Sequence, residues 1–312
     1  MTNKANKTKR GSVVIAGGGI GGMQAALDLA DSGFKVHMIQ RDSSIGGTMA
    51  MLDKTFPTGD CSMCMISPKM VEVGRHPNIV LHTLAEVTAV DGEPGDFSVM
   101  VKEKPRFVDP VKCTGCGACE KKCPKLVVSE FEQGLSKRKA IYSLLPQAVP
   151  NTRVIDPDTC LYIQRGRCKA CIKFCDTDAI NFDDTATQRT LTVGSVIVTA
   201  GFKTFDPRPL DNYQHATLPD VVTSMEFERI LSAGGPTAGH VKRPSDGRAP
   251  AKIAWLQCVG SRDTHIGARG YCSAVCCTYA VKEAILAKEH SSNGLDTAVF
   301  YIDIRTFGKD FE

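Results

Sequence analysis

The sequence has little excess charge, no long apolar run and no secretory signal, and each absence excludes a class of protein. Its 38 basic and 34 acidic residues leave a formal net charge of +4 over 312 residues. Such a balance gives no reason to expect a nucleic-acid or membrane-surface partner. No apolar segment approaches the roughly 18 to 20 residues that cross a bilayer. The first residues are basic and polar, and the short apolar stretch after them runs straight into glycines, without a secretory apolar region and cleavage site. We therefore expect a cytoplasmic protein with no membrane span.

Cysteine is the residue present in excess. The chain has 14 cysteines, and a reducing cytoplasm keeps thiols free rather than paired in disulfides. Metal ligation or redox chemistry is therefore the better explanation. The cysteines form one pair and three sets of four, and four thiolates are the ligand set of an iron–sulfur cluster or a structural zinc. They are Cys61 and Cys64; Cys113, Cys116, Cys119 and Cys123; Cys160, Cys168, Cys171 and Cys175; Cys258, Cys272, Cys276 and Cys277.

A glycine-rich turn near the start of the chain predicts dinucleotide binding. Gly17, Gly19 and Gly22 form a G-x-G-x-x-G motif between a strand at 12–16 and a helix at 23–30. The first glycine permits the tight turn, the second lets the backbone approach a pyrophosphate, and the third allows close packing of helix on strand. The helix N-terminus favours the phosphate charge. A glycine-rich turn without a ligand is the alternative.

The end of the second strand departs from the usual dinucleotide pattern. An acidic residue commonly stands there and accepts hydrogen bonds from ribose hydroxyls. Here the residue is Gln40, followed by Arg41. Glutamine can still bond a diol, whereas Arg41 is either a partner for a 2′-phosphate, as in NADP, or a solvated charge.

Two ferredoxin-type motifs predict two [4Fe–4S] clusters. The first is C-x2-C-x2-C-x3-C-P, from Cys113 to Pro124, and the second is C-x7-C-x2-C-x3-C, from Cys160 to Cys175. In two-cluster ferredoxins the fourth cysteine of a motif ligates the other cluster. We therefore expect Cys113, Cys116, Cys119 and Cys175 to hold one cluster, and Cys160, Cys168, Cys171 and Cys123 to hold the other. Zinc is the alternative metal. In the second motif Asp176 replaces the usual proline, which removes no ligand.

The remaining cysteines fall near the end of the chain and in a pair near its start. Cys258 ends a predicted strand at 251–257, while Cys272, Cys276 and Cys277 begin a predicted helix at 274–290. A four-thiolate site is plausible there, with buried structural cysteines as the alternative. Cys61 and Cys64 form a C-x-x-C pair, which suits a redox dithiol, half of a metal site, or structural thiols.

The rest of the chain gives coarser expectations. Residues 41–75 contain glycine, proline and the first cysteine pair, and predict a loop-rich segment. One strand is expected from Leu191 to Ala200, and Thr223 with Glu226 predicts a capping box for a helix at 224–232. A last strand is expected over 297–304.

Several segments resemble a known family. Gly46-Gly47, and the segment from Val196 to Gly201, resemble flavin-contacting segments of disulfide-reductase-like flavoproteins and favour FAD. The segments at 52–64, 68–79, 255–263 and 271–277 resemble the HdrA-like iron–sulfur flavoproteins of the heterodisulfide reductase family. The resemblance covers almost the whole chain from residue 11. In that family the last cysteine set carries a further cluster, which falls here on Cys258, Cys272, Cys276 and Cys277.

The resemblance implies a fold and a domain order. It implies an α/β, thioredoxin-reductase-like, doubly wound FAD-binding fold with an inserted α+β two-cluster ferredoxin domain. We expect a basic disordered tail at 1–10, the FAD-binding domain at 11–101 and 188–222, and the insertion at 102–187. A partial second Rossmann-like domain is expected at 223–312. Because its sheet is incomplete and a late flavin-contacting segment is missing, we expect a fragment or one product of a split gene, inactive alone.

The resemblance also implies a function. The expected activity is that of an oxidoreductase that links two-electron flavin chemistry to one-electron cluster transfer, with electron bifurcation between ferredoxin and a disulfide. Expected partners are other heterodisulfide reductase-type subunits and a ferredoxin, hydrogenase or dehydrogenase as electron donor. One alternative is a non-catalytic electron relay. The other is an NAD(P)H-linked flavin oxidoreductase, against which the replacement of a second glycine-rich turn by Cys258 argues.

Overall fold

The computed structural model describes residues 10–264, 267–291 and 294–308. Apart from Arg10, the basic tail expected at 1–10 lies outside these residues. The chain divides into two compact units. The first contains the residues up to Ala50 together with Met65–Phe131 and Lys137–Gly201, and the second contains Met51–Cys64, Glu132–Ser136 and the residues from Phe202 onward. Each unit is described by itself.

The first unit is built on a parallel sheet followed by an antiparallel one. Short apolar strands alternate with helices at its start, as in doubly wound folds. The elements up to the insertion are β1 (Ser12–Ala16), α1 (Ile20–Asp31), β2 (Lys35–Gln40), α2 (Ser62–Arg75), β3 (Ile79–Thr83), β4 (Ala85–Glu93) and β5 (Asp96–Glu103).

The cysteine-rich insertion contains short helices and two-stranded ribbons. Its elements are α3 (Ala118–Lys122), β6 (Leu126–Val128), β7 (Lys137–Lys139), β8 (Ile141–Tyr142), β9 (Val154–Ile155), α4 (Leu161–Arg165) and α5 (Ala170–Lys173). Its core is small and includes Phe107, Val108, Ile141 and Ile155, with several cysteines packed against them.

The chain leaves the insertion through β10 (Thr187–Val193) and β11 (Ser195–Val198). β10 pairs with β5 in the antiparallel sheet β10-β5-β4, and β11 completes the parallel sheet β11-β1-β2-β3. The apolar core between the sheets contains Val14, Ile39, Val99, Val101 and Val193. The mixed α/β architecture predicted from the sequence is thus confirmed.

The second unit packs two helices on a pair of parallel strands. Its elements are α6 (Ser224–Leu231), β12 (Lys252–Leu256), α7 (Cys276–Glu289) and β13 (Asp296–Phe300). The predicted capping box is present: the Thr223 side chain accepts from the backbone N–H of Glu226, whose side chain accepts from the Thr223 N–H. The core includes Phe227 against Trp255, with ring centroids 5.7 Å apart in edge-to-face geometry.

The expectation that residues 41–75 are loop-rich was wrong over its second half. A helix of 14 residues, α2, occupies Ser62–Arg75 and contains Pro68. Ile66, Met70 and Val73 are fully buried and recur at helical spacing. This apolar face offsets the cost of the proline, which on its own predicts a break.

The single strand expected from Leu191 to Ala200 was also wrong. The chain forms two strands there, β10 and β11, which belong to different sheets. The break falls at Gly194, where an added Cβ would lie 2.3 Å from the carbonyl oxygen of Arg10. Only glycine fits at this close approach, so the strand ends there.

Candidate functional site

The glycine-rich turn lies at the C-terminal end of β1, where α1 begins. Gly17 has φ +121°, and an added Cβ would lie 2.1 Å from the carbonyl oxygen of Thr199. A Cβ on Gly22 would lie 2.0 Å from the carbonyl oxygen of Gly17. A Cβ added on Gly19, at the N-terminus of α1, would have no neighbouring atom within 4 Å. Two glycines are therefore required by the fold, whereas the third leaves an open approach at a helix N-terminus, as a pyrophosphate requires.

Gly46 and Gly47 lie directly against this turn. The Gly46 N–H donates to the Gly18 carbonyl at 2.9 Å, and an added Cβ on Gly47 would lie 3.0 Å from the Gly19 Cα. Gln40 closes the other side, since its Oε1 accepts from the Gly18 N–H at 2.7 Å. Arg41 is exposed at the end of β2. The structure thus brings these predicted glycines and Gln40 together in one cradle with room beside Gly19, which fits a dinucleotide.

Thr199 is a residue of this cradle that the sequence reasoning missed. It follows β11, and its hydroxyl donates to the Gly17 carbonyl at 2.8 Å. Gly201, which the sequence singled out, stands two residues further on with φ +72° and no close neighbour. The return of the chain to the glycine-rich turn was expected, but the residue that makes the contact is the threonine before the glycine.

Two cavities in the insertion are each lined by four cysteines. Cys113, Cys116, Cys119 and Cys175 line one of them. Cys123, Cys160, Cys168 and Cys171 line the other. The structure therefore groups the eight cysteines as the crossed pairing of the two motifs predicts. Within the described residues, no three cysteine, histidine or acidic side chains are placed to hold a single metal ion. The four-sulfur lining of each cavity fits a larger group.

Backbone amides and one arginine surround the first cavity. The Ala179 N–H donates to Cys175 Sγ at 3.3 Å, and the Ala118 amide lowers the pKa of the Cys116 thiol. Gly117 has φ +77°, and a Cβ there would lie 2.7 Å from the Arg153 guanidinium. Arg153 is a second residue that sequence reasoning missed; it lines this cavity and forms an ion pair with Glu120 at 2.7 Å.

The expanded gap of the second motif forms a helix. Cys160 stands at the N-terminus of α4, which ends at Gly166 with φ +66°. The chain then passes through Cys168 and Lys169, which both have left-handed backbones, before Cys171. Burial raises the pKa of Cys119 to about 11 and that of Cys171 to about 12. Both thiols are therefore protonated in the free chain, and ligation of a metal would release these protons.

The third cysteine set lies in the second unit. Cys276 and Cys277 are buried at the start of α7, and the electrostatic interactions of Cys258 with Cys276 and Cys272 place these sulfurs in one neighbourhood. Cys272 precedes the helix, which begins at Cys276, so the expectation that Cys272 lies at the start of the helix was wrong. The cause is local, since Ala274 has φ +58° and the helix starts only at Cys276.

Cys61 and Cys64 form a disulfide with a Cα–Cα distance of 5.2 Å. The sequence left this pair open between a redox dithiol, half of a metal site and structural thiols. The other twelve cysteines are free.

Comparison with known families matches both cofactor-binding segments. A family described as FAD dependent oxidoreductase matches residues 12–58. A family described as 4Fe-4S binding domain matches residues 106–129. The predictions of FAD and of iron–sulfur clusters as cofactors are confirmed at this level, while the number of clusters is a proposal.

Curated relatives align with nearly the whole chain. The second iron-sulfur A subunit of the CoB–CoM heterodisulfide reductase of Methanopyrus kandleri is 49% identical over 312 residues, which are all of this chain and 46% of the relative. The A subunit of the H2:CoB-CoM heterodisulfide,ferredoxin reductase of Methanothermobacter marburgensis is 46% identical over 299 residues, or 96% of this chain and 44% of the relative. The chain thus spans less than half the length of these relatives. The predicted family resemblance is confirmed.

Proposed function

We propose that this chain, a homologue of the matched part of the heterodisulfide reductase A subunit, is an electron-transfer flavoprotein that links a bound FAD to iron–sulfur clusters. FAD exchanges electrons in pairs, and each cluster exchanges one. The reaction class is that of an oxidoreductase. For the whole protein we propose assembly with further heterodisulfide reductase-type subunits and exchange with ferredoxin, a hydrogenase or a dehydrogenase. We also propose a cytoplasmic location. No helix among the described residues is long and apolar enough to cross a membrane.

The observation that carries this proposal is the attachment of the cysteine-rich insertion to the dinucleotide cradle. The Ile45 N–H donates to the Val149 carbonyl at 3.0 Å, and the Val149 N–H donates to Ser44 Oγ at 2.9 Å. Ser44 and Ile45 directly precede the Gly46-Gly47 pair of the cradle. The two sites belong to one compact unit, and these hydrogen bonds join them, which favours electron exchange between them.

Arg106 strengthens this attachment from the first residues of the insertion. It is 8% exposed, and its guanidinium donates to the Ser43 carbonyl at 3.3 Å and to the hydroxyls of Thr83 and Thr152. Burial lowers the pKa of Arg106, but the group stays charged at any working pH. A buried, charged arginine with three hydrogen bonds at the junction favours one fixed position of the insertion.

The ligand sets that we propose follow the two cavities of the insertion and, for a third cluster, the cysteine set of the second unit. One [4Fe–4S] cluster is held by Cys113, Cys116, Cys119 and Cys175, and the other by Cys123, Cys160, Cys168 and Cys171. A third is held by Cys258, Cys272, Cys276 and Cys277. The FAD pyrophosphate lies against Gly17, Gly19 and Gly22, with Gln40, Arg41, Gly46, Gly47 and Gly201 around the rest of the site.

We propose the domain limits that the sequence predicts, with the insertion at 102–187. In support, Glu103 at the end of β5 pairs with Thr187 at the start of β10. The two ends of the insertion therefore meet on neighbouring strands, so the flavin-binding part can close without it.

An anaerobic reduction experiment tests the proposed function. The chain is reconstituted with FAD, iron and sulfide, and its flavin is photoreduced. We expect electrons to appear on the clusters, seen as bleaching of their visible absorption and as electron paramagnetic resonance signals of reduced [4Fe–4S] centres. A Cys116→Ser variant should retain flavin reduction and lose part of the cluster signal. Flavin reduction that never reaches the clusters would contradict the proposal.

Two further measurements separate the alternatives. A nicotinamide-linked enzyme would be reduced by NADH or NADPH in stopped-flow mixing, and we expect no such reduction. The segment after β12 supports this expectation, because Cys258 with φ +62° stands where a cofactor-binding turn would lie. The second measurement uses the assembled complex and follows electrons to two acceptors, ferredoxin and a disulfide, because bifurcation delivers them to both. Delivery of electrons to one acceptor alone would indicate an electron relay.

A further inference from the structure

The exposed disulfide between Cys61 and Cys64 has no role in the proposed electron path. Both residues are exposed, and they close a C-x-x-C ring at the N-terminal end of α2. A disulfide that only stabilises a fold gains most by closing a long loop. This one spans a sequence separation of 3, so its contribution through the unfolded chain is small.

Cys61 occupies the N-cap position of α2. The backbone N–H of Cys64, the third helical residue, donates to Cys61 Sγ at 3.1 Å. The sulfur therefore takes the place that a capping oxygen holds in other helices. A thiolate released there would be stabilised by this amide and by the positive end of the helix dipole. Cys64, within the first turn, has no equivalent capping position.

Ser62, which follows Cys61 in the chain, provides a second observation. Ser62 is fully buried, and its hydroxyl has no hydrogen-bond partner within the described part of the chain. A buried donor without an acceptor is costly in the disulfide state. This cost falls on the residue that directly follows Cys61 in the chain.

The base of the cysteine loop is fixed by buried charges. The Asp53 N–H donates to Glu228 Oε2 at 2.9 Å, and Lys282 Nζ donates to the Lys54 carbonyl at 2.8 Å. Glu228 and Lys282 also form a buried ion pair, and the Ser62 N–H donates to the Asp53 carbonyl at 3.0 Å. The loop is thereby held from both ends while its two sulfurs stay accessible to a partner.

We propose that Cys61 and Cys64 form a redox-active site for thiol–disulfide exchange with a dithiol. Cys61 is the sulfur that forms the mixed disulfide: it attacks when the pair is reduced and is attacked when the pair is oxidised. In the reducing direction, a thiolate of the dithiol attacks Cys61 Sγ, the Cys61–Cys64 bond breaks, and Cys64 leaves. The second thiol of the reductant then breaks the mixed disulfide. One S–S bond is lost in the protein and one forms in the dithiol, and the two thiol protons pass to Cys61 and Cys64.

The first test measures reduction with dithiothreitol as the probe. The anaerobic holoprotein is equilibrated in buffers of reduced and oxidised dithiothreitol and quenched with N-ethylmaleimide. Cleavage at lysine yields a peptide of residues 55–69 that contains both cysteines and no other. We expect reversible conversion between the unlabelled and the doubly labelled peptide while the flavin and cluster absorption is retained. A peptide that stays unlabelled until the clusters are lost would overturn the proposal.

The second test assigns the attacking sulfur. Cys64→Ser leaves Cys61 as a free thiol, and Cys61→Ser is its matched control. The backbone amide of residue 64 stabilises the Cys61 thiolate, which raises its ionised fraction at pH 7 but reduces the nucleophilicity of each thiolate. We therefore expect Cys61 to be alkylated by iodoacetamide about three to ten times faster than Cys64 at pH 7. The advantage should vanish at pH 10, where both are ionised. Equal rates at pH 7 would overturn the assignment of Cys61.

Discussion

The side chain of Gln40 accepts a hydrogen bond of 2.7 Å from the backbone N–H of Gly18. Its amide nitrogen donates to the Asp42 carboxylate, also at 2.7 Å. Gln40 is 7% exposed, so both polar ends of this side chain are satisfied inside the protein. Asp42 explains why position 40 holds glutamine rather than the usual acidic residue, because a carboxylate at position 40 would face the Asp42 carboxylate.

Gln40→Glu should destabilise the chain. The variant places a buried carboxylate beside Asp42, whose own pKa is already raised by partial desolvation. Like charges disfavour each other's ionised form, so we expect a loss of about 1 to 2 kcal/mol in the free energy of unfolding at pH 8. The loss should be smaller at pH 5 than at pH 8, because protonation of either carboxyl removes the repulsion. Urea unfolding at the two pH values measures this.

Gln188→Glu is the matched control for this variant. Gln188 is exposed on β10, so the same chemical change there should move the free energy of unfolding by no more than about 0.5 kcal/mol. An equal loss in both variants, or a loss at position 40 that does not depend on pH, would contradict the contact between Gln40 and Asp42 as the cause.

Two glycines of the turn should respond differently to alanine. Gly22→Ala places a Cβ 2.0 Å from the Gly17 carbonyl oxygen, so we expect a loss of about 2 to 4 kcal/mol in stability without ligand. Gly19→Ala meets nothing within 4 Å and should leave this stability almost unchanged. Its methyl group occupies the approach to the pyrophosphate, and FAD affinity should fall at least about tenfold.

Chemical unfolding of the FAD-free chain and fluorescence titration with FAD separate these effects. Gly11→Ala, at an exposed glycine with nothing within 4 Å of an added Cβ, should alter neither quantity. If Gly19→Ala unfolds the chain as strongly as Gly22→Ala does, the distinction between the two roles is wrong.

Local patterns were enough to predict the cradle and the insertion. The glycine motif and the two cysteine motifs each act within about 25 residues, and their chemistry requires particular residue types at fixed spacing. The capping box of α6 was predicted for the same reason, because both of its partners lie three residues apart. In each case the interacting groups lie close together in the sequence, so a local pattern is enough to identify them.

Contacts between distant segments could not be predicted in this way. Thr199 meets Gly17 across 182 residues, and Glu228 meets the Asp53 N–H across 175 residues. Glu228 stands in no recognisable motif, and the segment that contains Thr199 did not indicate which of its residues meets the turn. The helix α2 was missed because Pro68 suggests a break, while the burial of Ile66 and Met70 that outweighs it depends on tertiary packing.

Serine variants of the insertion should divide into two classes by cavity. Cys116→Ser and Cys175→Ser alter one cavity, whereas Cys123→Ser and Cys168→Ser alter the other. We expect the two members of a class to lose the same cluster and leave the same residual paramagnetic resonance spectrum. Each variant should also lose up to about four iron atoms per chain. Iron analysis and spectroscopy of the dithionite-reduced protein measure both.

The decisive pair in this set is Cys123→Ser with Cys116→Ser, because both belong to the first sequence motif. Different residual spectra support the crossed pairing, and identical ones would show that each motif holds its own cluster. Cys64→Ser serves as the control and should retain the full iron content.

Glu283 should carry a proton at neutral pH. It is fully buried on α7, and its carboxyl accepts from Trp255 Nε1 at 2.8 Å. Burial, followed by the neighbouring carboxylate of Glu228, raises the pKa of Glu283 well above its ordinary value. A protonated Glu283 can donate to Glu228, which is itself paired with Lys282.

The pH dependence of stability tests this protonation. Above about pH 4.5 the unfolded chain releases the proton that the folded chain keeps, so stability falls as the pH rises toward the folded pKa, by up to about 1.4 kcal/mol per pH unit. Glu283→Gln keeps an acceptor for Trp255 and a donor for Glu228 without a titrating proton. We therefore expect it to be as stable as the parent at pH 5 and more stable at pH 8. Glu289→Gln, at an exposed position of the same helix, should leave the slope unchanged, and a Glu283→Gln variant less stable at pH 8 would contradict a protonated Glu283.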